Sequence, residues 1–194
     1  MDGYLDTQDK VHRFERTVLP HLDAAYSLAR WLARDHQDAE DIVQMAFLRA
    51  FRFFDSFRGG NGRAWLLTIV RRTYYSWLRD RRHEDGDVGF DELLHSGHGD
   101  YGVAGSCSPF AAGSNPESIA AREDTRRAVN AALEKLPLAY REVVVLKDIE
   151  DLSYKEIAEV VEIPIGTVMS RLARGRKLLG DTLRLSVVGA SHEL

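Results

Sequence analysis

The chain contains a single cysteine, Cys107, in 194 residues. One thiol cannot close an intramolecular disulfide or build a cysteine-rich zinc module, which agrees with a reducing compartment. No apolar run approaches the roughly 20 residues that span a bilayer. The start of the chain, Met1 to Lys10, is acidic and polar rather than signal-like. These absences predict a cytoplasmic protein with no direct membrane insertion. Alternating Val/Ile/Thr segments bounded by hairpin turns are also missing, so strands are not expected. Nor is there a phosphate-binding glycine loop or a nucleophile elbow. Ser, His and Asp occur, but in no organised setting, and no catalytic residue is assigned.

Basic residues are not in excess either: Lys and Arg number 26 against 30 Asp and Glu, for a net charge of −4. Their distribution reverses the impression this gives. From Lys10 to Arg82 there are 14 basic residues against 8 acids, whereas residues 83–121 hold 7 acids and no Lys or Arg. From Arg122 onward the two signs balance. A strongly basic block therefore precedes an acidic middle segment.

Segment 83–121 is rich in Gly, Ser and acid without sustained periodicity, and reads as a flexible linker between two helical blocks. The expected division is a tail (1–9), a first block (10–82), the linker, a second block (122–184) and a C-terminal tail (185–194). In the first block a weak pattern at Val11 to Val18 precedes three strong ones. Leu22, Ala25, Tyr26, Ala29 and Leu32 recur at helical spacing. Asp38 offers an N-cap for a second helix, whose stripe Val43, Ala46, Phe47, Ala50, Phe51 and Phe54 is expected to be buried. A glycine-rich loop (FRGGNGR) then leads into a third helix, from about Ala64 to Arg82. The second block opens at Asn115-Pro116, with proline at the first helical position. Pro137 separates two helices, Ser153-Tyr154-Lys155-Glu156 forms a capping box, and the turn Glu162 to Pro164 leads into a final helix. Two helices joined by so short a turn are a helix-turn-helix candidate.

At 100° per residue the final helix places Val168, Leu172 and Leu179 on one side and Thr167, Ser170, Arg171, Arg174 and Lys177 on the other. No acid occurs between Pro164 and Gly180. Such a face suits a major groove, where guanidiniums reach guanine edges and hydroxyls or ammoniums reach phosphates and bases. The third helix repeats the pattern with rings. Leu66, Ile69, Val70, Tyr74 and Trp77 point one way, and Arg71, Arg72, Tyr75, Arg79 and Arg82 nearly opposite. Cations interleaved with an aromatic ring suit single-stranded or melting DNA, since guanidiniums neutralise phosphate and planar groups stack on exposed bases. The preceding loop, with Arg58, Asn61 and Arg63 among three glycines, has the composition to cup an extruded base. Trp65 and Trp77 are assigned to the core.

The two blocks resemble regions 2 and 4 of the ECF (extracytoplasmic-function) sigma factors of bacterial RNA polymerase. Asp38-Ala-Glu-Asp41-Ile-Val-Gln44-Met-Ala-Phe47-Leu and Ala64-Trp65-Leu-Leu-Thr-Ile69 carry the resemblance to region 2. Leu133-Glu-Lys-Leu136-Pro137, Leu152-Ser-Tyr-Lys-Glu156-Ile-Ala158 and Gly166-Thr167-Val168-Met-Ser170-Arg171-Leu172 carry that to region 4. The resemblance implies an all-α fold of two small domains and partners comprising the polymerase core (its beta and beta-prime subunits), promoter DNA and an anti-sigma factor. It implies no cofactor. Asp41 and Gln44 match the surface that docks on the clamp helices of the largest catalytic subunit. The loop Arg58 to Arg63 and the helix after it match the part that melts and reads the minus-10 element. Thr167, Ser170, Arg171 and Arg174 match the recognition helix for the minus-35 element. The linker would thread through the polymerase and hold the two cationic surfaces apart, and its acids suggest a mimic of nucleic acid there. This chain departs from the family at Arg72, Ser76, Met169 and Gly175, where Asn, Asp, a basic residue and Ala are frequent, so promoter sequence does not carry over from relatives.

Two other readings stand beside this one. A helix-turn-helix regulator that works without polymerase accounts for residues 122–184, but not for the basic, aromatic first block. A metal or thiol site from His83, His95, His98 and Cys107 has no regular scaffold to hold a third ligand, and no metal site is assigned.

Overall fold

A computed structural model describes residues 2–85 and 116–190, with side chains over 8–83 and 125–185. Among these residues there are eight α-helices and no strand. The first unit comprises α1 (Asp2–Val18), α2 (Leu22–Ala33), α3 (His36–Arg52) and α4 (Gly62–Asp85). Thus α1 begins inside the segment expected as a tail. Arg34 takes the left-handed conformation at φ 66° and stops α2. The chain restarts at once: Asp35, in an extended conformation, caps α3 by accepting the Asp38 N–H at 3.0 Å. Asp38, expected as the cap, lies instead in the first turn, where its carboxylate receives Arg81 of α4 at 2.9 Å.

Alanines 25, 29, 39, 46 and 50 are fully buried, and their small size lets α2, α3 and α4 close tightly around Leu28, Ile42, Leu66, Leu67 and Val70. Phe14 of α1 meets Phe54 edge-on, with ring centroids 5.3 Å apart. Of the aromatic stripe expected to be buried, Phe54 is buried and Phe47 half-buried, while Phe51 is exposed. Phe51 caps the edge of the Phe14 ring rather than entering the core. Trp65 and Trp77 pack half-buried against the core.

The second unit comprises α5 (Pro116–Glu134), α6 (Leu138–Val144) continued by a π turn (Val145–Ile149), α7 (Tyr154–Val161) and α8 (Ile165–Ala190). Pro137 is the N-cap of α6. The capping box is complete: Ser153 Oγ accepts from the Glu156 N–H, and the Glu156 carboxylate accepts from the Ser153 N–H at 2.7 Å. Glu162, left-handed at φ 58°, ends α7, and α8 begins three residues later. Gly175 faces α6, where a Cβ would stand 2.8 Å from Val144 Cγ2. The departure from alanine at this position therefore sets the close approach of α8 to α6. Both α4 and α5 extend into the segment read as linker, and α8 continues past the expected edge at 184. Residues 86–115, with His95, His98 and Cys107, lie outside the described residues, and so does most of the acidic segment.

The two units are not held apart. α4 packs on α7, and α2 on α6 and the π turn, so that the buried side chains form one cluster from Phe14 to Leu172.

Candidate nucleic-acid interface

α8 is anchored by Val168 and Leu172, both buried, and by half-buried Leu179. Ser170, Arg174 and Lys177 are exposed on the other side, with Thr167 and Arg171 half-buried beside them. Ser170 Oγ donates to the Thr167 carbonyl at 3.0 Å, so its hydroxyl is held against the helix. Among the described residues no carboxylate pairs with Arg174 or Lys177. Arg176, two positions on and therefore about 200° round the helix, is instead tied to Asp148 by two of its nitrogens, Nε at 3.1 Å. The structure thus brings the five predicted α8 residues onto one face.

The loop before α4 turns through Gly59 and Gly60, at φ 85° and 97°, in a region that disfavours side chains. Asn61 then caps α4: its Oδ1 accepts the Ala64 N–H at 3.1 Å. Arg58 and Arg79 are exposed. The remaining residues expected to face single-stranded DNA meet carboxylates of the second unit. Asn61 Nδ2 donates to Glu156, Arg63 pairs with Glu150, Arg71 with Glu142, and Arg72 with Glu162. The Arg71 guanidinium also lies 4.7 Å from the Tyr75 ring centroid, with the Tyr75 hydroxyl against the same Glu142 carboxylate. Burial pushes both the Tyr75 hydroxyl and the Glu142 carboxyl up from their usual ranges. For Glu142 it outweighs the opposite pull of Arg71. The cation-and-ring face inferred from sequence is present, but its Arg71, Arg72 and Tyr75 are engaged by Glu142 and Glu162.

Asp41 and Gln44 are exposed on the outer face of α3, opposite buried Ile42, Val43 and Ala46 and beside Leu48, which is 67% exposed. Sequence reasoning missed the acids that meet the first unit. Their signal lies in the run Arg141-Glu142-Val-Val-Val-Leu146-Lys-Asp-Ile-Glu150, where Glu142 and Glu150 flank apolar residues and both are buried. Arg141 is buried too, donates to the Glu134 carbonyl at 3.1 Å, and leaves its Nε unpartnered. Burial first, then the charge of Arg34, lowers its pKa to about 10. A cavity of about 310 Å³ between α1 and the loop, lined by Arg13, Arg16, Thr17, Phe54, Phe57 and Gly59, was also missed, because α1 carries only a weak pattern. Its cations and rings are of the kind that hold nucleic-acid constituents. Among the described residues no three His, Cys, Asp or Glu side chains cluster as a metal site. Among them, too, no helix is long and apolar enough to cross a membrane.

The sequence matches Sigma-70 region 2 over residues 17–84 and Sigma-70 region 4 over residues 126–179. It is 35% identical over 170 residues to the ECF RNA polymerase sigma factor SigE of Mycolicibacterium smegmatis, covering 88% of this chain. It spans only 61% of that relative's length. It is 34% identical over 150 residues to the ECF RNA polymerase sigma-E factor of Escherichia coli, covering 76% of this chain and 74% of that protein. The fold is similar to that of the sigma factor RpoE in complex with the anti-sigma factor NepR from Bartonella quintana. The TM-score is 0.68 at 30% identity, covering 89% of this chain and 97% of that one. It is also similar to CnrH in complex with the cytosolic domain of CnrY, at a TM-score of 0.59 and 26% identity, covering 90% and 89% of the two chains.

Proposed function

This chain belongs to the sigma-70 family as an ECF sigma factor of RNA polymerase, and from that premise we propose how its own surfaces share promoter recognition. The observation that carries the reading is one polypeptide with two different DNA-complementary faces: the outer side of α8, free of acids from Ile165 to Gly180, and the cation-and-ring side of α4 with its glycine loop.

The outer face of α3, through Asp41 and Gln44, docks on the clamp helices of the polymerase core, with exposed Leu48 adding apolar area beside them. Arg58, Asn61, Arg63, Arg71, Arg72, Tyr75 and Arg79 take the minus-10 strand as it melts, phosphates on the guanidiniums and bases against the planar groups. α8 enters the major groove of the minus-35 element. Arg174 and Arg171 reach base edges, while Thr167, Ser170 and Lys177 hold the register. In this reading residues 10–82 and 122–184 are the two working domains. Bond-making belongs to the polymerase, and the chain contributes binding alone, without cofactor. One solved relative is a sigma factor in complex with the anti-sigma factor NepR, which supports an anti-sigma partner for this chain.

Run-off transcription with purified core polymerase on genomic fragments tests the reading. Discrete new transcripts are expected only when the protein is added. If start sites are the same with and without it, the assignment to promoter selection is wrong.

A further inference from the structure

The contacts between the two units do more than hold them together. Four residues of the face that would take the minus-10 strand, Asn61, Arg63, Arg71 and Arg72, are each bound to a different glutamate: Glu156, Glu150, Glu142 and Glu162 respectively. These acids come from α7, the C-cap of the π turn, α6 and the α7 C-cap. A carboxylate and a phosphate present the same paired oxygens to a guanidinium, so a given arginine fork takes one or the other. Arg71 is the most constrained. Its side chain is 16% exposed, its plane lies over Tyr75, and Glu142 closes the remaining side. No base or phosphate can reach that pair while α6 is in place.

The second observation is geometric. By their names the minus-35 and minus-10 elements lie centred about 25 base pairs apart, about 85 Å of duplex at about 3.4 Å per base pair. Here α4 and α8 both pack on α7, which keeps their surfaces within about 30 Å at ordinary helix spacings. The closed arrangement cannot serve both elements at once. Residues 86–115 separate α4 from α5, and that much chain can reach up to about 100 Å when extended. The separation needed is within range.

The third concerns how firmly the units are joined. Glu142 is fully buried with one oxygen unpartnered, and Arg141 nearby keeps an unpartnered Nε. Pairing a buried charge offsets its desolvation only when every polar atom is satisfied. The contact is therefore specific in its pairing yet poorly satisfied, as suits a joint that must open.

We propose that the free chain is autoinhibited: Glu142, Glu150, Glu156 and Glu162 of region 4 occupy the single-strand-binding face of region 2, standing in for DNA phosphate, while the outer face of α8 stays open. The occlusion rests on the assignment of that face to the minus-10 strand. The closure itself does not, and the two are read separately. In the full chain, Glu150→Gln/Glu162→Gln removes two of the pairs and spares Glu156, which caps α7. A charge-matched control, Asp151→Asn/Glu159→Gln, removes two acids outside the contact. Circular dichroism melts verify folding, small-angle X-ray scattering reports closure, and fluorescence anisotropy reports binding of a mixed-sequence 20-nucleotide single-stranded DNA.

The contact variant is expected to expand and to bind the single strand about tenfold tighter, or about 1.4 kcal/mol. The control is expected to do neither. Equal gains in contact variant and control would show bulk charge at work and overturn the proposal. A wild-type chain already extended in scattering would overturn the closure and leave the minus-10 assignment intact. Expansion without tighter binding would overturn the occlusion, and that assignment with it.

Discussion

Arginines 174 and 176 sit two positions apart on α8 and are chemically identical, but their surroundings predict opposite behaviour. Arg174 is exposed with no carboxylate partner among the described residues, on the side away from Val168 and Leu172. Arg176 is engaged by Asp148 through two nitrogens. A lost bidentate base contact costs about 1–3 kcal/mol, which is about a 5- to 150-fold loss of affinity. Arg174→Ala is expected to lose that much on a promoter with its natural minus-35 element, and much less once the element is scrambled. Arg176→Ala loses only a partly exposed ion pair, about 0.5 kcal/mol of fold stability, with promoter affinity within about twofold. The assay is competitive binding by reconstituted holoenzyme on a promoter chosen by run-off transcription, with natural and scrambled minus-35 versions. Equal losses from Arg174→Ala on both DNAs would reduce the residue to a phosphate contact. A larger loss from Arg176→Ala would mean that the wrong face of α8 has been assigned to the groove.

The remaining predictions concern the scaffold. Arg141 is buried with an unpartnered Nε and a neighbouring Arg34, so Arg141→Met should leave stability unchanged or raise it by about 1–2 kcal/mol; a clear loss in urea unfolding would show a hidden counter-charge. Gly62 abuts α1, where a Cβ would stand 2.8 Å from the Thr17 carbonyl oxygen, a backbone atom that cannot swing aside. Gly62→Ala should therefore destabilise by about 1–2 kcal/mol despite alanine's helix preference, and a stabilised variant would mean that α1 is not seated there. Asp35 accepts from the first turn of α3, and these backbone hydrogen bonds hold its carboxyl below the usual aspartate range. Stability from a group with a lowered folded pKa is present above its unfolded value and is lost as pH falls toward the folded one. Asp35→Asn keeps a cap but cannot titrate, so its melting temperature should match wild type near neutrality and fall less steeply below about pH 4; identical acid limbs would exclude the role.

Helix positions were legible wherever a local signal set them. The capping box at Ser153, the proline at 137 and the periodic stripe of α8 each encode their own geometry within a few residues, and each stands where it was read. The errors fall where two local signals compete. Asp35 and Asp38 are equally good caps by composition, and the choice was made by Arg34, whose left-handed turn stops α2. Phe51 and Phe54 are three apart on one stripe, but only Phe54 is also covered by Phe57 and Trp65, and only it is buried, although both meet the ring of Phe14. Since α1 carries a weak pattern, that partner was not visible.

The site was legible in one dimension only. Periodicity states which side chains share a face, and it placed Arg71, Arg72 and Tyr75 together without any knowledge of what lies across from them. What covers that face depends on contacts between residues 71 to 95 positions apart in sequence, and these leave no periodic trace. They leave a different one: an acid inside an apolar run has to be desolvated, and it is tolerated there only opposite a cation. Glu142, wedged between Arg141 and three valines, is such an acid, and the first block is where arginines outnumber acids. Read together, the misplaced carboxylate and the excess guanidiniums already specified a contact between the two blocks. A basic face and a buried acid in the same chain are thus two halves of one observation: the acid, silent in any periodic pattern, is what marks the Arg71 side of α4 as paired within the chain.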